Sequence, residues 1–94
     1  MCEIYRLKLY ITGETPRSKF AIANLRKFCN AKLQSKHEVT IIDVLQQPDV
    51  AEREGILVTP TLVKESPAPP QRIIGDLSDM EVILFALGIH EPDS

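Results

Sequence analysis

Two cysteines, two histidines and a scatter of carboxylates are what this 94-residue chain offers to covalent or metal chemistry, and their spacing works against it. Cys2 sits at the start of the chain, where ends fray. Cys29 falls among Ile22, Leu25, Phe28 and Leu33 at helical spacing, which makes it a buried, inert thiol. Two cysteines are no disulfide framework, and in a reducing cytosol both stay as thiols. His37 has no second ligand at metal spacing and His90 lies near the end, so both read as surface histidines. Asp76 and Asp79 could pass for a carboxylate pair, but capping of a following helix explains them better. There is no nucleophile–histidine pair, no metal-ligand cluster and no glycine-rich phosphate loop. The expectation is a protein without catalytic residues, cofactor or metal.

Charge carries more information. The net formal charge is only -2, yet all but three of the 11 basic residues fall within positions 1–36 and all but two of the 13 acids fall after them. Such asymmetry suits an electrostatically steered contact with a macromolecule. The cations that one helix would present are Arg17, Lys19, Arg26 and Lys27, and these are the candidate partner-binding residues; a plain solvated face is the bland alternative. Aromatic residues do not interleave with the cations and no nucleic-acid motif is present, so nucleic acid is not the expected partner. No apolar run reaches the length of about 18 residues that a membrane helix needs. The start, Met1-Cys2-Glu3-Ile4-Tyr5-Arg6, lacks a basic-then-apolar signal pattern, so a cytoplasmic location is expected.

The elements that must position these residues can be read in order. Ile4 to Ile11 alternates, with Tyr5, Leu7, Leu9 and Ile11 on one face, and predicts a half-buried strand. Thr15 is a helix cap and Pro16 suits the first helical position, opening a helix to about Leu33. Glu38 to Leu45 is β-branched and nearly continuous in apolar character, which predicts a strand buried on both faces of a parallel sheet. Pro48 opens a short helix to Glu54, and Gly55 stops it. Thr59-Pro60 makes a sharp turn into the next strand, Thr61 to Glu65, either through a cis bond or as an ordinary trans proline at a strand start. The proline-rich Ser66–Pro70 connector leads to a strand over Gln71 to Ile74, close enough to form an antiparallel hairpin. Ser78-Asp79-Met80-Glu81 is a capping box for a last helix to Leu87, which Gly88 stops. The length suits one domain over residues 1–94.

This order, βαβαββα around the Thr59-Pro60 turn, resembles the thioredoxin fold, with a four-stranded mixed sheet in an α/β class. Such a fold invites an oxidoreductase reading, in which a reactive dithiol belongs in the turn before the first helix. Here that turn reads Gly13-Glu14-Thr15-Pro16-Arg17-Ser18 and holds no cysteine. The runs Leu7-Lys8-Leu9-Tyr10, Thr15-Pro16, Ile42-Asp43-Val44-Leu45, Thr59-Pro60-Thr61-Leu62 and, most specifically, Arg72-Ile73-Ile74-Gly75-Asp76-Leu77-Ser78 resemble the KaiB family over nearly the whole chain. The resemblance implies a non-enzymatic partner of KaiC, a hexameric RecA-like ATPase. It also implies two folds: a thioredoxin-like state that binds the KaiC ring, and an alternative, usually tetrameric state with a rebuilt C-terminal half. A homo-oligomer, dimer or tetramer, is therefore expected.

Two departures stand out. The long acidic tail of cyanobacterial members is absent, and Ala86 stands where the family has glycine in the last helix. Both suggest a homologue outside the core clock group, with an output in timing or in a related stress or signalling system. Ala86 also lifts a helix-interior glycine penalty of about 0.8–1.0 kcal/mol, which favours the thioredoxin-like state. Two other readings stay open: a standalone relative of the sensory domain of a KaiC-binding histidine kinase, and a redox-dead thioredoxin-like adaptor for another protein.

Overall fold

The computed structural model describes residues 4–33, 37–66, 69–75, 77–78, 82–83 and 85. Strand β1, Tyr5–Ile11, lies inside a four-stranded sheet of order β2-β1-β3-β4. Its neighbours are β2, His37–Asp43, which runs parallel to it, and β3, Thr61–Ser66, which runs antiparallel. Strand β4, Gln71–Ile74, pairs antiparallel with β3 as the hairpin expected from sequence. Helix α1, Pro16–Phe28, makes the crossover from β1 to β2, and the shorter α2, Pro48–Glu54, precedes β3. The fold is thioredoxin-like and α/β, with a mixed sheet as the pattern predicts.

Alternation along β1 sorts the two sides of the sheet. Leu7, Leu9 and Ile11 face one side, where Ala21, Leu25, Phe28 and Cys29 close over them, joined by Leu62, Ile73, Leu77 and Ile83. Tyr10 faces the other side and packs with Ile42 and Val63 under Val50 of α2 and Ile56 just after it. Side chains at the period of an amphipathic helix thus meet side chains at the period of a strand. Lys64, on the α1 side of β3, is 3% exposed and holds its Nζ 5.9 Å from the centre of the Tyr5 ring. A one-residue slip in the β1–β3 register between Arg6 and Leu7 marks a bulge at the far end of that pairing.

Three expectations change. The helix reaches Leu33, but from Cys29 onward it widens into a π-helical turn, Cys29–Leu33. Strand β2 starts at His37 and stops at Asp43, two residues short of the predicted end, and Leu45 is exposed. The Asp43 carboxylate causes the stop: its Oδ1 accepts from the Leu45 N–H at 2.9 Å, two residues on, while the Asp43 carbonyl accepts from Gln46 and Gln47. Nor is β2 buried on both faces. It is an edge strand with one neighbour, and Val39 and Ile41 are each 36% exposed. Of the predicted last helix, Val82, Ile83 and Phe85 are helical, with Ile83 in the core. The capping Asp79 and Glu81, together with Ala86 and Gly88, lie outside the described residues, as do Asp76, His90 and Cys2.

Candidate functional site

Where α1 begins, the chain has built a hydrogen-bonded turn. Gly13 takes a left-handed φ of 59°, and its N–H donates to Asp43 Oδ1 at 3.1 Å. One carboxylate oxygen thereby holds the end of β1 against the end of β2. Thr15 caps α1: its Oγ1 accepts from the Ser18 N–H at 3.1 Å and lies 2.9 Å from Ser18 Oγ. Pro16 occupies the first helical turn, where a missing N–H costs nothing. The Thr59–Pro60 peptide bond is cis and lies against this turn, with Thr59 Oγ1 hydrogen-bonded to Thr12 Oγ1. Thr61 Oγ1 donates to the Val58 carbonyl, and Pro60 supplies its carbonyl to the Gly75 N–H at 2.9 Å. These hydroxyls and amides satisfy one another, and among the described residues no thiol or imidazole joins them.

Cys29 sits a helix length away. It is 1% exposed, and burial pushes its thiol up to about 11 from an ordinary 9.0. A nucleophilic thiol needs a depressed value and access, so this one is built for packing. Among the described residues no group of three or more metal-binding side chains comes together.

The four cations chosen from sequence, Arg17, Lys19, Arg26 and Lys27, are all exposed. They do not form one cluster. Lys19 and Arg26 stand two helical turns apart on the same stripe, while Arg17 lies about half a turn round from Arg26. Lys27 follows Arg26 in sequence; both fall in the last turn of α1, where positive charge also suits the helix dipole. Among the described residues none of the four is ion-paired; the ion pair present, Lys8 to Glu65 at 2.9 Å, is on the opposite side of the sheet. It raises the Lys8 pKa through the hydrogen bond to Glu65.

Sequence reading missed what lies beside Arg26. Arg26, Cys29, Asn30, His37, Val39 and Ile41 line one open cavity between the end of α1 and the outer strand of the sheet. His37 is therefore not a plain surface histidine: it is half-buried in β2, and its Nδ1 is enclosed with no hydrogen-bond partner among the described residues. Val39 and Ile41 were visible as a β-branched run, but a sequence does not say which strand ends up at the edge. The result is a surface with a basic stripe on the helix and, beside it, an apolar strand edge that no described residue pairs with. The Thr59–Pro60 turn belongs to the other end of α1 and stays apart from it.

Comparison with known proteins bears on the family and the fold. A KaiB domain model matches residues 8–89. Circadian clock protein KaiB3 of Synechocystis sp. is 54% identical over 83 residues, which span 88% of this chain and 81% of that one. Circadian clock oscillator protein KaiB of Prochlorococcus marinus is 47% identical over 85 residues, spanning 90% of this chain and 81% of that one. Among solved structures, the N-terminal domain of Synechococcus elongatus SasA superposes with a TM-score of 0.77 at 24% identity, covering 100% of this chain and 92% of that domain. Mitochondrial thioredoxin 3 of Saccharomyces cerevisiae gives 0.72 at 17% identity over 92% of this chain and 78% of that one. Those two structural likenesses speak to the fold.

Proposed function

This chain belongs to the KaiB family, and from that premise we propose that it is a non-enzymatic regulatory protein that binds a KaiC-type hexameric ATPase. The observation that carries this reading is the identity with named circadian clock KaiB proteins over most of the chain. The geometry agrees with a binding role: an exposed basic stripe of Lys19 and Arg26 flanks the free edge of β2, and Arg17 and Lys27 extend the positive charge to either side. The turn at Gly13 and the cis Thr59–Pro60 bond serve as scaffold. The protein works in the cytoplasm as one domain, without cofactor, in circadian timing or a related stress or signalling system. A standalone relative of the sensory domain of a KaiC-binding histidine kinase has less support, because the relatives at the higher identities are KaiB proteins.

The test is direct. Replacing Arg26 and Lys27 with glutamate should weaken binding to the cognate ATPase in size exclusion or titration while leaving the thermal unfolding of the free protein in place. Wild-type affinity should also fall with salt, since the Debye length shrinks from about 10 Å at 0.1 M to about 3 Å at 1 M. An unchanged affinity in the double variant would remove the basic stripe from the interface.

A further inference from the structure

The side of the sheet away from α1 is only partly covered. Helix α2 is seven residues long, and Val50 and Ile56 pack over Tyr10, Ile42 and Val63. At the C-terminal end of α2, Glu54, Val63, Glu65, Pro70 and Arg72 line an open cavity of about 470 Å³. That volume lies within the roughly 300–1,000 Å³ of small-ligand clefts. Its floor follows from the strand register. Lys8, Val63 and Arg72 stand in one row across β1, β3 and β4, and Glu65, two residues on from Val63, shares their face. Lys8 and Glu65 neutralise each other at 2.9 Å. Arg72 and Glu54 do not. Arg72 donates to the main-chain carbonyls of Gly55 and Glu54, which uses two of its five N–H groups. Among the described residues no ion pair joins its guanidinium to the Glu54 carboxylate or to any other. One cation and one anion, neither in an ion pair, thus border a cavity that Val63 and Pro70 make apolar. Burial raises the Tyr10 phenol beneath them, and the charges of Lys8, Glu54, Glu65 and Arg72 all act on it, which sets the four groups around one ring.

We infer that this cavity binds a free α-amino acid with an apolar side chain. The ligand's carboxylate takes the remaining N–H groups of Arg72, its ammonium meets the Glu54 carboxylate, and its side chain lies over Val63 and Pro70. Charge-assisted hydrogen bonds are the strong ones, and a guanidinium suits a planar carboxylate. Other ligand classes fit less well. A dicarboxylate or a phosphate would bring extra negative charge against Glu54 and Glu65. A diamine would meet Arg72, and an uncharged apolar molecule would leave both charges unmatched and partly desolvated. The end of a peptide carries only one of the two charges. The cavity lies across the sheet from α1, so its occupancy is measured without the ATPase and stands apart from the proposed partner binding.

Titration of the ¹⁵N-labelled protein with L-leucine, followed by amide chemical shifts, tests this. Saturable shifts should appear at residues 54–56, 63–65 and 71–72, with a dissociation constant of about 1 mM or tighter. N-acetyl-leucine keeps only the carboxylate and leucinamide only the ammonium, so each should bind about tenfold more weakly or worse. Glu54→Gln should weaken leucine to the same extent, and it leaves in place the main-chain carbonyl that Arg72 holds. Arg72→Met should do likewise. Because Arg72→Met also uncaps α2, Glu54→Gln and the two analogues decide the matter should that variant fail to fold. Absence of saturable shifts up to about 10 mM leucine overturns the inference. So does equal binding of N-acetyl-leucine or leucinamide, or unchanged leucine binding in Glu54→Gln. Saturable shifts confined to residues 26–41 overturn it as well, by placing the ligand in the cavity beside β2.

Discussion

At the scale of single residues, Cys29 carries a clear consequence. Its thiol is enclosed between α1 and the sheet and pushed up to about 11. At pH 8 only about a thousandth of it is thiolate. A thiol reagent should therefore label Cys29 only as fast as the protein opens, and insulin reduction should stay at background. The same burial links stability to pH. The unfolded chain gives up the thiol proton near the ordinary 9.0, while the folded chain keeps it to about 11. Between those values the unfolded state binds fewer protons, so stability falls as pH rises and is flat below. Cys29→Ala should remove this part of the alkaline slope in urea titrations from pH 8 to 11. Burial of Tyr10 and the Glu65 contact at Lys8 raise those groups too, and both add to the loss at the alkaline end.

At the scale of elements, Asp43 is the joint between β1, β2 and the start of α1. Its carboxylate takes the N–H groups of Gly13 and Leu45. Asp43→Ala leaves both amides without that acceptor and should cost about 1–3 kcal/mol in equilibrium unfolding, with Asp43→Asn recovering part. Asp43 falls inside the apolar run from Glu38 to Leu45, which suits either a strand end or a partly wet face, and its contacts with Gly13 and Leu45 make it the strand end. Much else at this scale was readable because the signals are local. Alternation in β1, the Thr15-Pro16 cap, the Pro48 and Gly55 brackets of α2 and the β3–β4 hairpin each depend on neighbours in sequence. What depends on distant neighbours was not readable. The β-branched run of β2 looks the same at a sheet's centre and at its edge, and only the sheet order makes Val39 and Ile41 a surface. The cations of α1 were named correctly as exposed, but their grouping follows from the helix repeat and from where β2 lies, which brings Arg26 to the cavity and leaves Arg17 on the far flank.

At the scale of the whole molecule, charge and topology coincide. The basic helix α1 covers one side of the sheet, and α2, with Asp49, Glu52 and Glu54 against Arg53, lies on the other. Among the described residues the two helices thus present opposite charge on the two sides of the sheet, which orients any charged partner approaching it. On the α2 side, the outer strand β4 is tied to the helix. Arg72, on β4, donates its Nη1 to the Gly55 carbonyl at 3.3 Å and its Nη2 to the Glu54 carbonyl, closing the open end of α2. A strand from the last third of the chain therefore finishes a helix from the middle. If β4 leaves the sheet, the carbonyls at the end of α2 lose their donors in the same event. Amide hydrogens in α2 and β4 should then exchange with solvent as one cooperative unit, at a common opening free energy. Arg72→Met should split them, with α2 exchanging faster than β4. Equal protection of the two elements in that variant would show that the guanidinium carries no such coupling. An arginine that serves as a helix cap thus also sets how much of the molecule must come apart if β4 leaves the sheet.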